Sequence, residues 1–118
     1  MNTEYVTLHQ EATVADGVAA LNGNEELLES LNTLLLIDAE ERLVGVVPVA
    51  RLFVAALPAR LRELCSETLI KVPVDEKQKR VVELFDKYNL LTLPVVDDEG
   101  KLVGVITADD IISVFRQK

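Results

Sequence analysis

The sequence has one cysteine, one histidine and no tryptophan in its 118 residues. The single thiol, Cys65, excludes an intramolecular disulfide or a cluster of thiolate ligands, and His9 alone supplies neither a zinc site nor a Cys/His catalytic pair. This cysteine usage suits a reducing, cytosolic setting. Long apolar runs are also missing. The longest, around Leu43 to Ala50, carries Gly45 and Pro48 and falls far short of the roughly 20 residues a membrane-spanning helix needs. Met1 to Gln10 alternates apolar and polar as a strand does, so no secretory signal is expected. Positive charge is scarce: 20 acidic against 12 basic side chains leave a formal charge of −8. That balance disfavours nucleic acid, which is bound by neutralising phosphates with Lys and Arg. The sequence contains no G-x-x-x-x-G-K phosphate loop, no G-x-S-x-G elbow and no G-x-G-x-x-G fingerprint, so no catalytic residue is assigned and an enzyme is not expected.

What is present is aliphatic. Hydrophobic residues make up 49% of the chain and aromatics only 4%, so Val, Leu and Ala must build the core, as in an α/β (α+β) layer fold. The chain also repeats itself. Residues 36–47, LIDAEERLVGVV, align without a gap on residues 95–106, VVDDEGKLVGVI, and every pair is identical or similar except Ala39/Asp98 and Glu41/Gly100. Each copy reads as an apolar strand, a polar turn and a second strand interrupted by one Gly, which is a hairpin with a close backbone approach.

Helices are expected after both hairpins, over residues 49–56 and 108–115, with Pro48 suited to a first helical turn. Upstream, Thr13 with Asp16 reads as a capping box, and Asp75 with Gln78 as another, the latter opening a helix whose stripe is Val81, Leu84, Phe85 and Tyr88. Tyr5 to Leu8 and Ile70 to Val74 read as the opening strands. Five extra residues, Asn22-Gly23-Asn24-Glu25-Glu26, precede the first hairpin. The expected division is a first repeat over residues 1–57, a linker over 58–68 and a second repeat over 69–118.

The tandem order, with Leu93-Pro94-Val95-Val96-Asp97 and Gly104-Val105-Ile106-Thr107-Ala108-Asp109-Asp110 in the second copy, resembles the cystathionine β-synthase (CBS) domain pair, or Bateman module. Thr3-Glu4-Tyr5-Val6 and the run from Val82 to Asp97 look like the cytosolic CBS region of MgtE-type magnesium transporters. The resemblance implies two pseudo-twofold repeats, each a small mixed sheet packed on two helices. It also implies an adenosine-nucleotide site (ATP, ADP or AMP) at Thr107 and Asp110, with Pro94 and Val72 beside them.

Thr107 and Asp110 equally fit a plain helix cap. In the first copy the aligned residues are Pro48 and Arg51, which offer neither hydroxyl nor carboxylate, so at most one such site is expected. Asp97, Asp98, Asp109 and Asp110 form a carboxylate-dense stretch, and Glu25, Glu26 and Glu29 another. Either is a candidate for Mg²⁺, which takes hard oxygen ligands and often only one or two protein carboxylates, or is simply a solvated acidic surface. Cys65 and His9 are expected to be packing and surface residues.

The expectation is a regulatory CBS pair of a magnesium transporter, flanked by an acidic N-terminal domain and a transmembrane domain. The alternative is a stand-alone nucleotide sensor or dimerisation module. Apolar Ile111, Ile112, Val114 and Phe115 exceed what one core-facing stripe requires, so a homodimer through these helices is expected.

Overall fold

We describe residues 5–23, 33–66, 69–108 and 111 of a computed structural model of the chain. The duplication is carried into the backbone as two three-stranded mixed sheets. In the first, β1 (Thr7–His9) runs parallel to β2 (Thr33–Ile37), which pairs antiparallel with β3 (Leu43–Pro48). In the second, β4 (Val72–Pro73) runs parallel to β5 (Thr92–Val96), which pairs antiparallel with β6 (Leu102–Thr107). The registers correspond pair by pair: Thr33↔Pro48 answers Thr92↔Thr107, and Leu36↔Gly45 answers Val95↔Gly104. Both hairpins bulge at the same place, between Leu36 and Ile37 and between Val95 and Val96.

The turns explain why the aligned acids recur. Asp38 Oδ1 accepts from the amides of Glu40 (2.9 Å) and Arg42 (3.0 Å), and Asp97 Oδ1 accepts from those of Glu99 (2.9 Å) and Lys101 (3.0 Å). Each turn needs a left-handed residue at its fourth position, supplied by Gly100 at φ 82° and, against the usual preference, by Glu41 at φ 65°.

One helix crosses over in each repeat. In α1 (Val14–Asn22) the expected capping box is present: Thr13 Oγ1 accepts from the Asp16 amide and Asp16 Oδ2 from the Thr13 amide. In α2 (Gln78–Tyr88) the expected box is not. Lys77 occupies the N-cap position with no side-chain bond, because the Glu76 amide donates to the Pro73 carbonyl and the resulting turn leaves Asp75 ahead of the helix start. Val81, Leu84 and Phe85 are buried as the stripe requires, whereas Tyr88 is 42% exposed, with Lys87 Nζ 5.2 Å from its ring centre. After β3 the chain makes a 3₁₀ helix, Val49–Val54, rather than a longer α-helix, and Pro48 stands outside it at ψ 130°. Ala108 and Ile111 are helical after β6; the rest of the second expected helix, with Ile112, Val114 and Phe115, lies outside the described residues.

Residues 58–68 were expected to be a linker, but most of the described part is built into the first unit. Val14 donates to the Ala59 carbonyl (2.8 Å) and Leu61 to the Ala12 carbonyl (2.9 Å). Glu11 holds both Arg60 and Arg62 at 2.7 Å. Leu61, in the short 3₁₀ helix Leu61–Leu64, is fully buried against Val14, Leu34 and Val47. A second core gathers Val72, Val81, Leu84, Phe85, Leu93 and Val95. A third joins the repeats: Leu35 and Leu43 of the first pack with Val96 and Val105 of the second.

The close approach expected at the hairpin glycine is made by Cys65. A Cβ on Gly45 would lie 2.6 Å from Cys65 Sγ. Gly45→Ala is therefore expected to destabilise the fold by about 1–3 kcal/mol, the usual cost of overpacking. Cys65→Ala in the same chain should recover part of that loss in a double-mutant cycle read by denaturant unfolding.

Candidate functional site: the cleft between the repeats

The two hairpins touch at their turns. The Leu43 amide donates to the Gly100 carbonyl (3.0 Å) and, in the reciprocal position, the Leu102 amide to the Glu41 carbonyl (3.3 Å), with Arg42 and Lys101 bridged across the contact. Glu40, Arg42, Glu99 and Lys101 line an open charged recess there. Arg42 is paired with Asp38 at 3.0 Å and with Glu40. The Arg42 backbone amide and side chain hold the Asp38 carboxyl below the usual carboxylate range, against some opposing desolvation.

At the open ends of the hairpins lies a cleft of about 300 Å³. The first repeat contributes Thr33, Val46 and Pro48, the connector Ser66 and Ile70, and the second repeat Thr92, Pro94 and the segment Tyr88 to Leu91 at the end of α2. This size is at the small end of the range for small-molecule sites. Its polar side chains are hydroxyls and the Asn89 amide rather than charges, which suits the sugar and base of a nucleotide better than a bare ion. Only the second repeat has a hydroxyl on both paired strand ends, since Thr92 faces Thr107 where Thr33 faces Pro48.

Pro94 has a further effect. In the first repeat the Leu35 amide donates to the Val6 carbonyl (3.1 Å), extending the parallel pairing. Pro94, at the matching position, has no N–H to donate. Accordingly β4 pairs over Val72–Pro73 alone and Ile70 is left on the cleft wall. Val72 is 3% exposed in the second core, so of the implied apolar pair it is Pro94 that lines the cleft. The sequence gives no site role to Thr33, Ser66, Ile70 or Tyr88, which line the cleft; Thr33 could have been found as the repeat partner of Thr92.

The candidate metal ligands are only partly described. Asp97 is committed to its turn by the two amides it accepts, and Asp98 is exposed beside it. Asp109 and Asp110 lie outside the described residues, as do Glu25, Glu26 and Glu29. Among the described residues, no three carboxylate, Cys or His side chains converge as a metal-binding group. His9 is exposed and its Nδ1 accepts from the Glu11 amide (3.1 Å). Cys65 is half-buried, and desolvation pushes its thiol up despite the nearby Arg51 charge. That shift lowers the thiolate fraction and with it the reactivity. No described helix is long and apolar enough to cross a membrane.

Residues 61–117 match the CBS domain family model. With the duplicated sheets and reciprocal hairpin contact, the chain is a tandem CBS domain pair. Within that class it is similar to the CBS region of MgtE magnesium transporters. It is 34% identical to the magnesium transporter MgtE of Bacillus subtilis and 33% identical to that of Thermus thermophilus, over 97% and 98% of this chain. The chain spans only 25% and 26% of those proteins' own lengths. The cytosolic domain of the Mg²⁺ channel MgtE in complex with ATP superposes with a TM-score of 0.88 at 33% identity, over 94% of this chain and 45% of that one.

Proposed function

We propose that this CBS pair is a non-catalytic regulatory module of an MgtE-type magnesium transporter, lying on the cytosolic side of the membrane. In this reading it takes an adenine nucleotide in the cleft between its repeats and responds to Mg²⁺ to gate an attached pore. The observation that carries the reading is the cleft itself, formed by the open ends of both hairpins and lined by the hydroxyl residues Thr33, Ser66 and Thr92 beside apolar Ile70 and Pro94. Thr107, paired with Thr92 at the end of β6 and not itself in the cleft lining, addresses phosphate and Asp110 accepts from ribose hydroxyls, while Pro94 and Ile70 offer apolar surface to the base. A phosphate at Thr107 would also gain from the amides of a helix start. Pro48 and Arg51 give the first repeat no equivalent groups, so one nucleotide binds per chain.

Mg²⁺ would act at the carboxylate surface of Asp98, Asp109 and Asp110, with Asp97 shaping the turn. Because Mg²⁺ retains most of its waters and needs only one or two carboxylates, such a site can be completed by the acidic N-terminal domain of a parent transporter. The helix that carries Ala108 and Ile111 borders an apolar groove with Phe85 and Leu90, and a second copy of the module would pair through this face.

Three outcomes are expected. Calorimetry with ATP, ADP and AMP should give one site per chain, weakened about tenfold or more by Asp110→Ala, in line with loss of charge-assisted hydrogen bonds; unchanged affinity would remove Asp110 from the site. Millimolar Mg²⁺ should raise the melting temperature more than NaCl of equal ionic strength, by mass action on the folded state, and Asp98→Asn with Asp109→Asn should erase the difference. Light scattering at tens of micromolar should give a dimer mass, and a monomer there would reject the pairing.

A further inference from the structure

Arg51 stands where the repeat alignment puts Asp110 in the second copy, and the structure gives it a different task. Its Nη1 donates to the carbonyls of Leu64 (2.6 Å) and Cys65 (3.0 Å), reaching from the 3₁₀ helix Val49–Val54 to the segment that leaves the first repeat. Two other ties converge on the same segment. Cys65 Sγ rests on Gly45, and the Ser66 amide donates to the Val46 carbonyl (3.0 Å). Ser66 and Val46 both line the cleft.

Each tie does something the others do not. The thiol–glycine packing sets how closely the segment approaches β3, and the Ser66 amide sets its register. Among the described residues it is Arg51 that donates to the Leu64 and Cys65 carbonyls, at the end of the 3₁₀ helix Leu61–Leu64 where no further helical turn follows. Both bonds come from Nη1, whose two N–H groups lie fixed in the guanidinium plane, whereas the donors of a lysine ammonium rotate freely on a flexible stem.

We propose that Arg51 is a positioning residue for the cleft, a latch that fixes the connector against β3 and so keeps Ser66 in the cleft wall. The ligand consequence rests on the nucleotide reading above; the latch does not. The first repeat has thus exchanged a ligand-binding carboxylate position for a strut that shapes the cleft.

The test is amide exchange by NMR combined with ATP titration, on the unsubstituted chain, Arg51→Ala and Arg51→Lys. In Arg51→Ala the Ser66 amide should exchange about tenfold faster, as expected for local opening, while Leu34 and Val47 in the core keep their protection. ATP affinity should fall about fivefold, and Arg51→Lys should recover less than half of either change. A Ser66 amide that stays protected in Arg51→Ala overturns the latch, as does loss of protection throughout the first core. Faster Ser66 exchange with unchanged ATP affinity overturns the positioning role. If the unsubstituted chain binds no ATP, the nucleotide reading fails, and the exchange arm alone decides the latch.

Discussion

Two hydrogen bonds between hairpin turns, Leu43 to Gly100 and Leu102 to Glu41, tie together sheets that could not stand apart. A three-stranded sheet with one crossover helix buries too little apolar surface to offset its conformational entropy comfortably. Here β3 and β6 are both edge strands, and the contact covers the first residues of each, where an open edge would otherwise be exposed. Leu35, Leu43, Val96 and Val105 close behind it. The joint is reciprocal because the sequence is, and the same Asp-capped turn therefore serves both halves.

Much of this was legible in the sequence because it depends on short-range chemistry. The gapless match of residues 36–47 with 95–106 predicted two hairpins of one design, and their strand registers agree residue for residue. The capping box at Thr13 was legible for the same reason. What could not be read depends on neighbours distant in the chain. Asp75 has the right spacing for a cap, yet a turn closed by the Pro73 carbonyl intervenes. Residues 58–68 look like a polar connector except for Leu61 and Leu64, and only the packed structure shows that Leu61 completes the first core. In the cleft, Pro94 was legible and Ile70 was not, since the place of Ile70 on the cleft wall beyond the short β4 follows from a hydrogen bond that Pro94 cannot make.

The duplicated frame has been put to unequal use. Thr92 and Thr107 face each other across the second hairpin's open end, whereas Thr33 faces a proline. Arg51 turns toward its own connector instead of outward. The hairpin registers agree between the repeats, while the side chains at the strand ends differ. Gly45, in the middle of β3, shows the opposite constraint, as it has no room for a methyl group beside Cys65.

The placement of the joint also sets a mechanical ratio. The hairpins meet at their turns and the cleft opens at their far ends, so each hairpin is a lever pivoted near Leu43 and Leu102. At roughly 3.3 Å per residue, a six-residue strand is an arm of about 20 Å. Turning one hairpin by about 5° would carry its open end by nearly 2 Å, on the scale of a hydrogen bond made or lost. The bonds at the pivot would scarcely change length. In such a geometry a small change in cleft width would correspond to a small rotation of one hairpin against the other about the turn contact.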